Sequence, residues 1–323
     1  MSDNLTERIE AIANAYEEIR TTTQQVVVGN QPLIEVIFIS MISGGHLLIE
    51  GVPGTAKTTV CKIVAHLIDY DFRRVQGAVD IQPADIIGVR VYDRNRNEFV
   101  LQRGPIFTNF LMVDEINRLT PKTQSALLEA LSERQVTIDG ITYPLADPYF
   151  TIATQNPHEA EGTFPLIEAQ RDRFMFSTTL THLNPENELE VLRRERAGEL
   201  DWNIYRDRIT PLLNPAEVGA MAETIQEIRV DEMVLAYIRD LVLATRNHGD
   251  IRLGASSRAS IALLRGSMAR AALSGRTYVI PDDVRDLAHP ALRHRILLSR
   301  EAAIAGVTPD QIIDEILESI GVS

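Results

Sequence analysis

The sequence lacks the features of several classes of protein. Its single cysteine, Cys61, excludes an internal disulfide and a zinc site built from thiolates. The longest apolar run, at residues 33–43, is interrupted by Glu35 and is shorter than the roughly 20 residues that a membrane helix needs. The first ten residues, MSDNLTERIE, have neither the basic nor the apolar region of a secretory signal. These absences predict a cytoplasmic protein without membrane insertion.

Basic charge is also scarce. The chain carries 45 acidic and 32 basic residues, which gives a net charge of −13, and its only lysines are Lys57, Lys62 and Lys122. Because proteins that bind the phosphate backbone of DNA or RNA usually carry a basic surface, nucleic acid is not expected as a partner. The 45% hydrophobic and 24% charged residues are typical of a globular protein, and 323 residues are enough for two domains.

Hydrophobic patterns in the first half of the chain predict a parallel sheet. An apolar run of strand length at residues 46–50 is followed by a glycine-rich loop and by helical spacing at residues 58–68. Strand, loop and helix in this order form the first half of a β-α-β unit. Further apolar strands are predicted at residues 110–113, 150–154 and 174–178, as in a sheet that is covered on both faces.

Helical signals occupy both ends of the chain. Apolar spacing predicts helices over residues 5–20 and 32–41. Capping residues that directly precede a proline mark further helix starts: Asn184, Asn214 and Thr308. We therefore predict an α/β fold with an αβα core over residues 1–183, followed by an all-helical domain over residues 184–323.

The loop after the first strand has the composition of a phosphate-binding loop. Residues 51–58 read GVPGTAKT, which matches the pattern G-x-x-x-x-G-K-[ST] except at Ala56. Backbone N–H groups at a helix N-terminus bind anions, Lys57 would reach the β- and γ-phosphates, and the Thr58 hydroxyl would coordinate Mg²⁺. The methyl group of Ala56 is compatible with this loop if its φ stays negative. The alternative is a tight strand-to-helix turn without a ligand.

Two adjacent carboxylates, Asp114 and Glu115, follow the strand at residues 110–113. Acids at the end of a buried strand are costly to desolvate unless a partner such as a divalent cation lies nearby. Asp114 would hold Mg²⁺ through its water shell, and Glu115 would orient and deprotonate the attacking water. Because side chains alternate along a strand, the two carboxylates are expected to point in different directions. The alternative is a solvated strand end.

Other polar residues suit the same chemistry. Asn156 follows a strand and would hydrogen-bond the γ-phosphate and the attacking water, unless it is only a turn residue before proline. Arg171 and Arg173 flank Asp172 and either pair with it or reach the γ-phosphate of a neighbouring subunit. Arg258 begins a predicted helix, where a cation opposes the helix dipole and calls for a nearby anion.

In this order the residues resemble an AAA+ ATPase, specifically one of the MoxR family. The segments that carry the resemblance are GPIFTNFLMVDEINRLTPKTQSALLEALSERQVTI (residues 104–138), TQNP (154–157), EGTFPLIEAQRDRF (161–174) and GASSRA (254–259). The phosphate loop of that family commonly reads GxPGxAKT, so Ala56 is one of its signatures. The resemblance extends over nearly the whole chain.

The resemblance implies a nucleotide-binding core with a helical lid, with ATP between them and Mg²⁺ as a cofactor. By matching positions it makes Asp114 and Glu115 the Walker B pair, Asn156 sensor 1, Arg173 the arginine finger with Arg171 as substitute, and Arg258 sensor 2. It assigns the following residues to nucleotide binding: Val28, Gly29, Gly51, Val52, Pro53, Gly54, Thr55, Ala56, Lys57, Thr58 and Thr59. Thr58 and Asp114 would hold the metal.

The implied function is Mg²⁺-dependent ATP hydrolysis in a ring, usually a hexamer, that remodels or activates partner proteins. The family is associated with partners that contain von Willebrand factor A domains, with metal insertion and with complex maturation. A magnesium-chelatase-like motor subunit and an ATP-gated scaffold with little turnover are the alternatives. The scaffold has no use for a water-activating carboxylate such as Glu115. A DNA-directed motor shares the core, but the acidic charge argues against it.

Overall fold

The computed structural model describes residues 2–52, 54–156, 162–200, 202–206 and 208–321. Its strands are Leu47–Gly51 (β1), Phe72–Gln76 (β2), Gly88–Asp93 (β3), Glu98–Arg103 (β4), Phe110–Asp114 (β5), Gln135–Ile138 (β6), Ile141–Pro144 (β7), Phe150–Gln155 (β8), Phe176–Leu180 (β9), Ile251–Leu253 (β10) and Leu297–Leu298 (β11).

Helices account for most of the remaining described residues. They are Ser2–Val26 (α1), Gln31–Ile42 (α2), Lys57–Leu67 (α3), Pro83–Ile87 (α4), Pro121–Glu133 (α5), Glu168–Arg171 (α6), Pro185–Ala197 (α7), Trp202–Arg206 (α8), Pro215–Thr224 (α9), Glu232–Asn247 (α10), Ser257–Leu273 (α11), Pro281–Leu292 (α12), Arg300–Ile304 (α13) and Pro309–Ser319 (α14). Short 3₁₀ turns follow β5 and α9, at Ile116–Arg118 and Ile225–Glu227.

Five parallel strands form the central sheet, in the order β2-β5-β8-β1-β9. Alternate residues of β1 face opposite sides, so Leu47 and Ile49 join the buried cluster that includes α1, α2 and α3, whereas Leu48 joins the cluster that includes α5. Because helices cover both faces, the central strands are continuously apolar. The predicted parallel sheet with flanking helices is confirmed.

The boundaries of some elements differ from the sequence predictions. Strand β9 begins at Phe176 because Phe174 is still held in a turn, where its backbone N–H donates to the carbonyl of Arg171. Strand β2 was not predicted at all, since its sequence FRRVQ is rich in charge. The second half of the chain is not all helical, because β10 and β11 pair as a short antiparallel ladder.

The helices from the two ends of the chain pack together. Helix α1 contacts α2 and α3 from the first half of the chain and α9 and α11 from the second half. Apolar side chains of α1, α2 and the C-terminal helices belong to one continuous buried cluster. The division of the chain at residue 183 therefore stays a prediction. None of the helices in the described ranges combines the length and the apolar character that a membrane crossing requires.

Candidate functional site

A cavity of about 450 Å³ lies at the carboxyl edge of the central sheet, between the loop after β1 and the ends of β2, β5 and β8. It is named the phosphate cavity here, after the predicted phosphate loop that lines it. Parallel strands end at the same edge, so residues that are distant in sequence meet there. The lining residues are Gly51, Gly54, Thr55, Ala56, Lys57, Thr58, Thr59, Arg74, Gln76, Asp114, Glu115, Thr154, Gln155 and Asn156. Pro53, also expected to bind nucleotide, lies outside the described residues.

The loop that precedes α3 reaches the helix through two left-handed residues. Gly54 has a φ of 83°, and Ala56, the N-cap of α3, has a φ of 57° and a ψ of 19°. The condition under which a methyl group was thought compatible with the loop, a negative φ at Ala56, is therefore not met. In this conformation the N-terminus of α3 opens into the cavity, where its free N–H groups favour an anion. The left-handed region costs an alanine roughly 1–2 kcal/mol, which glycine avoids.

Lys57 is the first residue of α3 and spans the loop. Its ammonium group donates to the carbonyl oxygens of Gly51 and Val52, at 3.0 and 2.7 Å. Burial lowers the pKa of Lys57, while Asp114 and Glu115 act in the opposite direction. The cation is thus tied down at the cavity, close to the positions where phosphate oxygens would accept charge-assisted hydrogen bonds.

Asp114 is held by two donors at the end of β5. The Thr154 hydroxyl donates to its Oδ1 at 2.5 Å and in turn accepts the backbone N–H of Glu115 at 3.0 Å. The Arg74 guanidinium donates to Oδ2 at 2.6 Å. Thr154 and Arg74 were not singled out in the sequence, since a threonine within a strand and an arginine on an unpredicted strand carry no local signal.

Glu115 follows β5 in a left-handed conformation, with a φ of 54°. Its Oε2 accepts a hydrogen bond from the Gln76 side-chain amide at 3.0 Å and forms an ion pair with Arg118 at 3.2 Å. Asp114 and Glu115 therefore have different partners, although both line the same cavity.

The residues present fit a magnesium ion that is shared with phosphates. Thr58 and Asp114 line the same cavity and provide oxygen atoms, which are the ligands that Mg²⁺ prefers. Within the described ranges no three His, Cys, Asp or Glu side chains are grouped to hold a metal by themselves. Such a poor set of protein ligands is typical of Mg²⁺ that completes its shell with phosphate oxygens and waters.

A second cavity, of about 270 Å³, adjoins the first and shares Gly54, Thr55, Ala56 and Thr59 with it. Its apolar wall is formed by residues 26–28 at the end of α1, together with Leu183, and by Val191 of α7. Apolar walls next to a phosphate site suit a planar base. Val28 lines this cavity as expected, while Gly29, with a φ of 75°, turns the chain between α1 and α2.

Arg173 and Arg258 lie elsewhere in the same chain. They line a third cavity, of about 140 Å³, with Gly44, Asp172 and Arg295 among its other residues. In the part of the chain that the structure describes, neither arginine lines the phosphate cavity. The resemblance implied that ATP lies between core and lid. The phosphate cavity is lined only by described residues between 51 and 156, whereas the wall of the second cavity also includes Glu188, Val191 and Leu200 from beyond residue 183.

Asp172 pairs with two arginines, Arg258 and Arg295. Its carboxylate accepts the Ser256 hydroxyl, at the N-cap of α11, and lies 3.8 Å from the Arg258 guanidinium. It also pairs at 2.9 Å with Arg295, whose side chain is only 3% exposed. Burial lowers the pKa of Arg295, and the bond to Asp172 opposes this. Arg173, next in sequence to Asp172, donates to the carbonyl of Leu128 at 2.7 Å.

Comparison with known proteins agrees with this geometry. Residues 46–176 match the family described as "ATPase family associated with various cellular activities (AAA)", and residues 243–316 match the AAA lid domain. The chain is 39% identical to a candidate ATPase of known structure from Cytophaga hutchinsonii, with a TM-score of 0.89 and coverage of 98% of this chain and 97% of that one.

The similarity to relatives of known sequence covers most of the chain. YeaC of Bacillus subtilis is 40% identical over 92% of both chains. Chaperone MoxR1 of Mycobacterium tuberculosis is 35% identical over 99% of this chain and 84% of its own. A magnesium-chelatase 38 kDa subunit of Acidiphilium rubrum is 29% identical over 69% of this chain and 61% of its own. With its core, its lid and its similarity to these relatives, this chain belongs to the MoxR family of AAA+ ATPases.

Proposed function

We propose that this protein forms a hexameric ring that hydrolyses ATP with Mg²⁺. The ring uses the hydrolysis cycle to remodel or activate a partner protein. The observation that carries the proposal is the convergence of Lys57, Asp114, Glu115 and Asn156 on one cavity at the phosphate loop. A binding scaffold needs the loop and the lysine, but it has no use for a carboxylate beside the phosphates. The similarity to chaperone MoxR1 supports a more general statement, namely that the protein has a chaperone-like function.

Each residue has a distinct part in the proposed mechanism. The N–H groups at the start of α3 and the Lys57 ammonium bind the phosphates, and Thr58 and Asp114 hold the metal. When bound, Mg²⁺ would neutralise charge on the phosphates and so favour attack at phosphorus. Glu115 orients the attacking water and accepts its proton, and Asn156 hydrogen-bonds that water and the γ-phosphate.

The position of Arg173 and Arg258 supports active sites that are shared between subunits. Neither lines the phosphate cavity of its own chain, and both line the third cavity, where Asp172 pairs with Arg258. An arginine that reaches the γ-phosphate of a neighbour is worth ~10³–10⁵ in rate in related phosphoryl-transfer enzymes. We infer that both arginines act on the nucleotide of the next subunit, so that hydrolysis requires the ring.

The partner is proposed to be a protein with a von Willebrand factor A domain, with metal insertion or complex maturation as the outcome. A magnesium-chelatase-like motor is the second candidate, because 69% of the chain is similar to a subunit of that enzyme. The two candidates share the ATP cycle and differ in the partner that the cycle drives. The two candidates are distinguished by measuring whether ATP hydrolysis is stimulated by a purified protein with a von Willebrand factor A domain or by a purified chelatase large subunit.

The first test is the variant Glu115→Gln. It removes the proton acceptor but keeps a side chain of the same size, so ATP binding and ring assembly are expected to persist while hydrolysis falls by at least about 100-fold. Steady-state phosphate release, nucleotide binding and light scattering measure these three properties. Hydrolysis at the wild-type rate would show that Glu115 is not the general base. Lys57→Ala is the matched control that loses nucleotide binding itself.

The second test concerns the shared site. Arg173→Ala is expected to bind ATP normally and to hydrolyse it poorly, because its effect falls on the neighbouring subunit. Mixing it with Glu115→Gln restores part of the activity, since some interfaces then combine an intact Glu115 with an intact Arg173. Specific activity that does not rise with protein concentration, or the absence of rescue when subunits demonstrably exchange, contradicts the shared site.

A further inference from the structure

The phosphate cavity contains a second cation besides Lys57. Arg74 lies on β2, the edge strand beside β5, and its guanidinium lines the cavity. It donates to Asp114 Oδ2 through two nitrogen atoms, at 2.6 and 3.2 Å. The same group also donates to the side-chain carbonyl of Gln76 at 2.5 Å. Arg74 is therefore part of the proposed nucleotide site without having a function assigned to it.

Both carboxylate oxygens of Asp114 already have a donor. Thr154 donates once to Oδ1, whereas two nitrogen atoms of Arg74 fill Oδ2, so a hydrated Mg²⁺ that binds at Oδ2 has to displace Arg74. The threonine is neutral and its side chain is buried, whereas the side chain of Arg74 is 42% exposed. Two cations at the same oxygen repel each other, and the exposed one is free to turn away.

We propose that Arg74 is an internal counter-ion of Asp114 and that Mg²⁺ displaces it when nucleotide binds. This inference rests on the proposed nucleotide site and adds to it a direct competition between a side chain and the metal. Before the metal enters, Arg74 neutralises the carboxylate and so reduces its repulsion of the phosphates.

The neighbouring residue offers a matched control. Arg73 precedes Arg74 on β2, so its side chain leaves the strand on the opposite face. It pairs with Asp71 at 3.4 Å and is 59% exposed. Arg73→Gln and Arg74→Gln remove the same charge from adjacent positions, and only the second acts on Asp114.

The test measures the affinity of a fluorescent ADP analogue in EDTA and in Mg²⁺, so that no turnover is involved. In Arg74→Gln the unpaired Asp114 repels the phosphates in EDTA, and in Mg²⁺ no side chain has to be displaced. The dissociation constant in EDTA divided by that in Mg²⁺ is therefore expected to be about threefold to fivefold larger than in the wild type. This is the range of a partly exposed ion pair. Arg73→Gln keeps the wild-type ratio, and Arg74→Lys returns towards it.

A Mn²⁺ titration of the protein–ADP complex, followed by electron paramagnetic resonance, gives an independent reading. Tighter Mn²⁺ binding in Arg74→Gln than in Arg73→Gln supports the competition. An unchanged ratio in Arg74→Gln, or an equal change in Arg73→Gln, overturns it and leaves the nucleotide site intact. If the wild-type protein binds ADP in neither condition, the proposed function fails together with this inference.

Discussion

Ala56 combines a side chain with a backbone conformation that normally belongs to glycine. Its φ of 57° costs roughly 1–2 kcal/mol, whereas a glycine at the same place would lose roughly 0.5–1 kcal/mol through the greater freedom of its unfolded chain. Ala56→Gly is therefore expected to shift the melting temperature by only a few degrees and to keep nucleotide binding. Differential scanning fluorimetry with and without ADP measures both properties.

Ala56→Val gives the opposite expectation. A β-branched side chain is a severe outlier at positive φ, so the loop has to adopt another conformation and its N–H groups leave the cavity. The protein stays folded, because Ala56 precedes α3 and the buried face of that helix is unchanged. Wild-type nucleotide affinity in Ala56→Val would contradict the left-handed assignment, and Ala56→Gly, which tolerates the same φ, serves as the control.

At the scale of elements, Asp172 links the segment after α6 to the start of α11 and to the turn that follows α12. Asp172→Asn keeps the size of the side chain but leaves the buried Arg295 without its carboxylate. Breaking a buried ion pair from one side costs about 3 kcal/mol or more. We expect Asp172→Asn to unfold at lower urea and to hydrolyse ATP more slowly, because Arg258 loses its carboxylate partner and Arg173 directly follows the altered residue.

Two further variants separate the ion pair from general damage. In Asp172→Asn with Arg295→Met, part of the lost stability returns, since the second substitution removes the uncompensated charge. Asp286→Asn removes one carboxylate partner of Arg270 on the surface and costs less than about 1 kcal/mol, because Asp286 is 51% exposed. Equal losses in Asp172→Asn and Asp286→Asn would show that Asp172 does not organise this region.

At the scale of the whole molecule, buried neutral histidines make the free energy of unfolding depend on pH. Burial lowers the pKa of His46 to about 4, and its ring joins α5 to β8 through the Leu131 carbonyl and the Thr151 N–H. Burial also lowers the pKa of His294, whose ring contacts the Phe174 carbonyl. Between pH 6.5 and pH 4 the unfolded chain binds protons at these positions while the folded chain does not.

The free energy of unfolding is therefore expected to fall as the pH drops below 6.5. His46 alone accounts for about 2 kcal/mol between pH 6.5 and pH 5. His289, whose pKa is raised by its bond to Asp310, acts in the opposite direction and contributes less because it is partly exposed. Urea unfolding at pH 7 and pH 5 measures the difference. His46→Asn reduces the dependence on pH, the exposed His182→Asn does not, and a pH-independent wild type would refute the assignment.

Much of the architecture was determined by local sequence. Continuous apolar runs identified β1, β5 and β8, because strands buried on both faces have no polar side. The phosphate loop was evident because its residues are contiguous. Asp114 was predicted to share a site with Lys57, 57 residues away, because acids at a buried strand end call for a cation, and the structure places both residues at one cavity. The assigned catalytic functions stay predictions that the variants above address.

The tertiary structure alone decided the contacts that join distant segments. Arg74 carries no local signal, and its pairing with Asp114 exists only because β2 lies beside β5 in the sheet. Asp172 and Arg295 meet across 123 residues, and Arg173 and Arg258 line the same cavity beside this contact. Periodicity and spacing report which face of an element is buried, but the partner across that face depends on how the whole chain packs.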